Sequence, residues 1–162
     1  MPADQAEEEL PHRLWPVGAV LGTSAWLLVD QDRIDRFGAV TDDLEPLHND
    51  PAWCAAHSPY GTTISYGFLT LSLLTAFMHD VTRDALKGSR ERGGFPLNYG
   101  FDRVRFLAPV PVGSRIRACL TLAARRPHPQ GDLLQISAVV EIEHRPKPAL
   151  VAEWHSLWVS ES

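Results

Sequence analysis

The sequence predicts an α+β domain in which one long helix is buried against an antiparallel sheet of five or more strands. Two patterns predict it. The segment FLTLSLLTAFM, within residues 65–86, is apolar on nearly every helical face, and a helix of this kind is normally buried. Residues 97–159 alternate apolar and polar positions between turn-rich linkers, which is typical of strands. A helix that is apolar all round needs more cover than one flat sheet provides, so we expect the sheet to curl around it and a second subunit to cover the rest.

The composition favours an ordinary globular protein. The chain has 162 residues, of which 44% are hydrophobic and 22% are charged, and its formal net charge is −5. That length fits one domain, which can bury about 70% of its unfolded surface. The acidic balance argues against nucleic acid as a partner, because such domains carry a basic face. Thr70, Ser72 and Thr75 interrupt the longest apolar stretch, so no membrane span is predicted.

The first residues and the cysteines bear on location. MPADQAEEEL is acidic and lacks the basic and apolar regions of a signal peptide. We expect residues 1–16 to form a flexible tail and residues 17–162 to form the single domain. Cys54 and Cys119 have no further cysteine or histidine at metal-site spacing. They are interpreted as reduced thiols of a cytoplasmic protein, and no metal site is predicted.

The first elements are predicted from capping residues and breakers. Residues 17–29 form a strand, and Asp30 is a candidate N-cap for a helix of about three turns over residues 31–41. Pro46 is expected to end that helix, which places Asp43 at or just past its C-terminus. Asp50, followed by a proline, starts a second short helix that reaches residue 56.

The remaining elements are one helix and a run of strands. The main helix is predicted over residues 65–86, and a charged, glycine-rich loop follows at 88–94. The strands after it include residues 114–126, 133–144 and 149–159. The last of these has large apolar residues on both faces, among them Trp154, Leu157 and Trp158. One short domain cannot easily cover both faces, so we predict a homodimer or a larger homo-oligomer.

The candidate chemistry lies in AVTDDLEPLHND and in the start of the main helix. Asp43 and His48 are a carboxylate and an imidazole, the groups that most often move protons near neutral pH, and Pro46 stiffens the turn between them. Free amides near Gly67, in the first turn of the helix, could bind a developing oxyanion. Each feature also has a structural interpretation: Asp43 and His48 as solvated loop residues, and Gly67 as a close packing contact. Glu45 could be a second base or a surface charge, and Thr75 a core hydroxyl.

These residues resemble a known family, the MaoC-like dehydratases, which include the (R)-specific enoyl-CoA hydratases. TDDLEPLHND is similar to the family signature S/T-x-D-x-N-P-hydrophobic-H-x-D, with Glu45 in place of the asparagine. ISYGFLTLSLL is similar to the family segment I-x-H-G-M-hydrophobic-x-x-S-L, with Tyr66 in place of the histidine and Gly67 retained. NYGFDRVRFLAPVPVGSRIRA resembles the later strand pair.

The resemblance implies a hot-dog fold, usually paired into a dimer, and a reaction without a cofactor. Asp43 and His48 would activate one water for addition to a trans-2-enoyl thioester of coenzyme A, and the amide of Gly67 would bind the thioester oxygen. We assign Glu45, Tyr66 and Thr75 to the substrate-binding surface. Two alternatives stay open: a hot-dog acyl-CoA thioesterase, which generally carries its carboxylate on the long helix, and a non-catalytic acyl-CoA-binding module.

Overall fold

A computed structural model describes residues 11–87 and 94–160, and in these residues the chain has the hot-dog fold. Four helices and a short 3-10 helix, Pro11–Leu14, accompany one antiparallel sheet. The helices are α1 (Gln31–Thr41), α2 (Pro46–Asn49), α3 (Pro51–His57) and α4 (Gly67–Thr82). The strands are β1 (Val20–Thr23), β2 (Leu27–Val29), β3 (Gly94–Phe106), β4 (Ser114–His128), β5 (Gly131–Ile142) and β6 (Leu150–Ser160).

The sheet has the order β1-β4-β5-β6-β3, and β2 also pairs with β4. Alternation predicts its inner face correctly, because every second residue of β4 and β5 points at the core. The fully or almost fully buried residues of these strands are Ile116, Ala118, Leu120, Leu122, Leu134, Ile136, Ala138, Val140 and Ile142. A bulge between Leu122 and Ala124 shifts the register, so the predicted alternation ends there.

The prediction of one strand over residues 17–29 is wrong, because the structure has two strands there, β1 and β2. The break falls at Ser24, a buried residue whose hydroxyl accepts the amide of Ala118 at 3.0 Å and donates to the carbonyl of Ala25 at 3.1 Å. A side chain thus replaces one step of the backbone ladder, and the chain re-enters the sheet as β2 three residues later.

The short helices follow their capping residues. Asp30 accepts the amide of Arg33 at 2.9 Å and begins α1, and Asp50 accepts the amide of Trp53 at 2.9 Å and begins α3, as predicted. The prediction that Pro46 ends α1 is wrong. Asp42 ends it in the left-handed conformation, with φ 57°, and Pro46 instead opens α2. Asp43 therefore lies just past the end of α1, as expected.

Helix α4 is shorter than predicted at both ends, and only one face of it is buried by this chain. The buried face consists of Leu69, Thr70, Leu73, Leu74, Phe77, Met78 and Thr82. The opposite side, called here the open face of α4, consists of Phe68, Ser72, Ala76 and His79, and Phe68 is 69% exposed. The sheet of this chain therefore leaves one face of the helix uncovered, and the expectation that a second subunit covers it stays a prediction.

Several exposed apolar side chains lie on β3, which is at the edge of the sheet with β6 as its one described neighbour. Its exposed large apolar residues are Phe95, Leu97, Tyr99, Phe101 and Phe106. Strand β6 lies between β5 and β3, and Trp154, Leu157 and Trp158 are almost fully buried. One face of the last strand is thus buried within the chain, whereas on the other face Leu157 is buried and Val151 and Val159 are half-buried.

The folded part of the chain reaches back into the predicted tail. His12, in the 3-10 helix, is fully buried, stacks on Trp158 and lies 2.8 Å from the Asp132 carboxylate. The Arg125 guanidinium donates to the carbonyls of His12 and Trp15, which fastens this segment to β4. Residues 1–10 of the predicted tail, and residues 88–93 of the predicted loop, lie outside the described residues. Among the helices described, none is long and apolar enough to cross a membrane.

Candidate active site

Asp43 is held by local backbone contacts at the end of α1. Its amide donates to the carbonyl of Gly38 at 3.0 Å, and its Oδ1 accepts the amide of Glu45 at 3.3 Å. The side chain of Asp43 is exposed. The end of α1 and the start of α2 therefore fix the position of Asp43 in the chain while leaving its carboxylate open to solvent.

His48 lies on α2 and is half-buried. Its Nδ1 lies 2.7 Å from the carbonyl oxygen of Ile64. A carbonyl oxygen only accepts hydrogen bonds, so Nδ1 carries the proton and, in the neutral ring, Nε2 carries the lone pair. The carbonyl of His48 accepts from the Gln31 side chain at 2.8 Å, and Thr63 donates in turn to that glutamine. The contact with Ile64 orients the imidazole, and the Gln31 contact holds the backbone of His48 in place.

Gly67 is the first residue of α4. No side chain caps this helix, so the amides of its first turn have no side-chain acceptor. A Cβ on Gly67 would lie 3.0–3.2 Å from the ring of Phe106, so this position also needs a glycine for packing. Both interpretations of Gly67 offered by the sequence are thus compatible with the structure.

One cleft of about 320 Å³ brings His48 and Gly67 together. Its other lining residues come from the segment before α4, from α4 itself, from the end of β3 and the loop that follows it, and from the residue before β6. They are Tyr60, Ile64, Ser65, Thr70, Phe106, Leu107, Ala108, Pro109, Val110 and Ala149. Neither Asp43 nor Glu45 lines the cleft of the single chain. Glu45 is the exposed N-cap residue of α2 and makes no side-chain capping bond.

Tyr66 lies between the two predicted catalytic residues. It is only 3% exposed, and its ring centroid is 3.9 Å from that of His48. Its hydroxyl donates to the carbonyl of Asp43 at 2.5 Å and accepts from the Asn49 amide at 2.5 Å. Burial raises the pKa of the Tyr66 hydroxyl, and the charge of Asp43 raises it further. The phenol therefore stays protonated and keeps its donor role.

Thr75 lines a second cavity, of about 90 Å³, further along the same helix. The walls of this cavity are mainly apolar and come from α4, β3, β5 and β6, together with Trp15. Its other lining residues are Met78, His79, Leu86, Pro96, Leu97, Asn98, Leu134, Ile136, Trp154, Ser156 and Trp158. Trp154 satisfies its indole N–H by donating to the Asn98 side chain at 3.1 Å. Gly67 and Thr75 are separated by about 12 Å along the helix axis.

Sequence reasoning missed several residues around the cleft. Gly38 carried a signal, because an isolated glycine inside a helix often marks a close approach. A Cβ on Gly38 would collide with the Tyr66 hydroxyl and would lie 2.7 Å from the carbonyl of Asp43. Asn49, Tyr60 and Phe106 carried no comparable signal. Among the residues that the structure describes, no three metal-ligating side chains form a cluster that could hold a metal ion.

The domain has the hot-dog fold, and one cleft in it is lined by a histidine and by the uncapped start of the long helix. The sequence of the domain shows which family of hot-dog proteins it belongs to. Residues 14–140 match the MaoC-like domain family. This match spans more than half of the chain, and the chain belongs to that family.

Two relatives and one solved structure show how far the similarity extends. Nodulation protein N of Rhizobium meliloti is 42% identical over 139 residues, which cover 85% of this chain and 83% of that protein. The 3-hydroxyacyl-thioester dehydratase Z of Mycobacterium tuberculosis is 40% identical over 137 residues, which cover 84% of this chain and 86% of that protein. The unliganded R-hydratase PhaJ1 of Pseudomonas aeruginosa has a TM-score of 0.73 at 19% identity, and covers 94% of this chain and 87% of its own, which shows the shared fold.

Proposed function

We propose that this protein adds water to a trans-2-enoyl thioester of coenzyme A, and that it catalyses the reverse dehydration of a 3-hydroxyacyl thioester. The observation that carries the proposal is the cleft in which His48 and the uncapped first turn of α4 meet. One side offers a proton acceptor, Nε2 of His48, and the other offers backbone donors at Gly67. Dehydratase Z, a relative named for the reverse direction, supports the same reaction class.

The proposed reaction starts with one water held by His48 Nε2 and the Asp43 carboxylate. As this pair takes a proton from the water, the oxygen attacks the β-carbon, and the double-bond electrons move onto the thioester oxygen. The amide of Gly67 stabilises that enolate oxygen, the role in which a fixed donor contributes most to a rate. The proton then returns to the α-carbon, so the reaction consumes one water and needs no cofactor. Asp43 is exposed and does not line the cleft of the single chain, so the proposal requires its carboxylate to turn toward a water at the mouth of the cleft.

The cavity lined by Thr75 is the proposed site for the acyl chain. It lies between α4 and the sheet, as the catalytic cleft does, and its walls include Met78, Leu134 and Trp154. An apolar cavity with few polar groups suits an alkyl chain. Trp15 closes one side of it, and the bonds from Arg125 hold that tryptophan's backbone in place. Thr75 would therefore contact the alkyl chain rather than the thioester.

A homodimer is part of the proposal. The open face of α4 exposes Phe68, and the edge strand β3 exposes Phe106. Their ring centroids lie 6.1 Å apart, so the two elements form one exposed apolar surface. An unpaired strand edge is a template for pairing, and two copies of β3 related by a two-fold axis would pair antiparallel. Such a dimer would cover the open face of α4 and narrow the cleft near Gly67.

The position of the carboxylate on α4 supports hydration rather than thioester hydrolysis. The only carboxylate on α4 is Asp80, and its Oδ2 accepts the amide of Ala25 at 2.7 Å. Asp80 thus joins the end of the helix to the segment between β1 and β2, and it is not among the residues that line the catalytic cleft. The long helix therefore lacks the nucleophile or base that a hot-dog thioesterase of the expected kind would use.

The test is an assay of the purified protein with crotonyl-CoA. Hydration removes the absorbance of the enoyl group without releasing a thiol, and this is the result we expect. Release of free coenzyme A would identify a thioesterase. Binding of the thioester with neither change would identify a binding module, and either of these results would overturn the proposal.

A further inference from the structure

The two departures from the family signature, Glu45 and Tyr66, are connected through Asn49, whose side chain bonds to the Glu45 carbonyl and to the Tyr66 hydroxyl. Tyr66 touches both proposed catalytic residues: its ring packs on the imidazole of His48, and its hydroxyl bonds to the backbone of Asp43. Asn49, the next residue after His48, donates to the same hydroxyl. We call Tyr66, Asn49 and Gly38 the tyrosine clamp.

Each member of the clamp has a defined geometric part. The phenol has one donor and one acceptor bond, and both are used within the protein. The Asn49 side chain also lies 3.3 Å from the carbonyl of Glu45, so it ties α2 to the turn that carries Asp43. Gly38 leaves the space that the hydroxyl occupies, because a Cβ there would overlap it.

We propose that Tyr66 is a positioning residue, which fixes Asp43 and His48 relative to each other without touching substrate; the inference rests on the proposed hydratase function. In the segment 43–48 the family's asparagine is replaced by Glu45, whose side chain is exposed and makes no capping bond. The hydrogen bonds of Tyr66 with Asp43 and Asn49 hold this segment in place from the N-terminal end of α4. Because a small misplacement of catalytic groups costs a large factor in rate, the clamp acts on turnover rather than on binding.

The first test is Tyr66→Phe, which keeps the ring against His48 and removes only the hydroxyl. We expect kcat for crotonyl-CoA to fall about tenfold to a hundredfold, while KM stays within about twofold. The matched control is Ser24→Ala, which removes another buried hydroxyl bonded to backbone, at a residue that does not line the cleft. The control should lower the melting temperature and leave kcat unchanged. If Tyr66→Phe keeps kcat within twofold of the wild type, the proposal is overturned.

The second test asks whether Gly38 and Tyr66 act together. Gly38→Ala should lower kcat because the new methyl group displaces the hydroxyl and the Asp43 carbonyl. The double variant Gly38→Ala, Tyr66→Phe should lose little more than the worse single variant, since both changes break one clamp. Losses that multiply in the double variant would show two independent effects and would contradict the clamp.

A third measurement separates this inference from the proposed function. Hydrogen exchange at the amides of His48, Asn49 and Asp50, which bond to the carbonyls of Glu45 and Pro46, reports on the segment without any substrate. We expect faster exchange at these amides in Tyr66→Phe and no change there in Ser24→Ala. If the wild type does not hydrate enoyl thioesters but this difference is found, the function fails and the clamp stands. Unchanged exchange in Tyr66→Phe would overturn the clamp, whatever the reaction proves to be.

Discussion

The Nδ1–H group of His48 donates a hydrogen bond to the carbonyl oxygen of Ile64, which lies 2.7 Å away. Ile64 lies three residues before Gly67, where α4 begins. One short segment thus orients the imidazole and also places the first amides of the helix. The same short backbone segment therefore fixes the distance between the proposed base, His48, and the proposed oxyanion donor, the amide of Gly67.

The first prediction concerns the space beside Gly67. A methyl group at this position would lie 3.0–3.2 Å from the Phe106 ring, so Gly67→Ala must move either the ring or the start of α4. We expect kcat/KM for crotonyl-CoA to fall about tenfold or more, because the donor moves from its working position. Adding Phe106→Leu should restore part of the loss. Gly100→Ala, where a Cβ meets nothing within 4 Å, is the control and should leave the rate within twofold.

The second prediction concerns acyl chain length. Met78 lines the cavity of about 90 Å³, and Met78→Trp would fill much of it. We expect kcat/KM for a twelve-carbon enoyl-CoA to fall by about tenfold or more, the range that pocket contacts with methylene groups supply. The rate with crotonyl-CoA should be almost unchanged, because its chain is too short to enter. Equal losses with both substrates would show that the acyl chain lies elsewhere.

The third prediction concerns assembly. Sedimentation at micromolar concentration should give a particle of at least twice the chain mass of 18.0 kDa. Tyr99→Lys places a charge on the exposed edge strand β3, where lysines commonly block pairing, and should shift the equilibrium toward monomer. A wild-type protein that sediments as a monomer would contradict the dimer. If the Tyr99→Lys variant forms a dimer as stable as that of the wild type, β3 is not the interface.

The fourth prediction concerns acid stability. Burial lowers the pKa of His12, and the hydrogen bond that His12 donates to the Asp132 carboxylate only partly offsets this effect. Burial also raises the pKa of the Asp132 carboxyl, but bonds from His12 and Arg13 outweigh this and leave it below its ordinary value. The unfolded chain therefore binds more protons than the folded chain, so stability is lost as the pH falls.

The loss should begin below about pH 6.5, the ordinary pKa of histidine, and deepen below about pH 4 as Asp132 titrates. Melting temperatures of the wild type and of His12→Phe, measured from pH 7 to pH 5, test the first part. The phenylalanine keeps an aromatic ring against Trp158 and removes the titrating group. Its melting temperature should fall less steeply over that range, and an identical slope in both proteins would exclude His12 as the cause.

Local patterns predicted the elements whose residues interact with near neighbours. The alternation around Ala118 and Val140 predicted β4 and β5, which pair at those residues, and the aspartates at 30 and 50 predicted two helix starts. The end of α1 was misjudged because Asp42 adopts a left-handed conformation before the chain reaches Pro46. Where tertiary contacts decide the outcome, as at Ser24, the pattern of the strand alone could not show the break.

The candidate site was predicted in part, for the same physical reason. The motif indicated His48 and Gly67, which do line one cleft. The contacts of Tyr66 with Asp43 and Asn49 join residues that are 23 and 17 positions apart, so no local pattern could indicate them. The exposure of Asp43 and the open face of α4 follow from the three-dimensional packing of the chain, which no local pattern of residues records.

The most direct test of the central claim measures the initial rate of crotonyl-CoA hydration by Asp43→Asn, His48→Ala and Asp42→Asn, alongside the wild type. We expect the first two variants to lose about 10²–10⁴ in rate, as expected for positioned acid–base groups, and the double variant to lose little more. Asp42→Asn should stay within about twofold, because asparagine also tolerates the left-handed conformation of residue 42. If Asp43→Asn keeps the full wild-type rate, Asp43 is not the base, and Glu45 becomes the residue to test in its place.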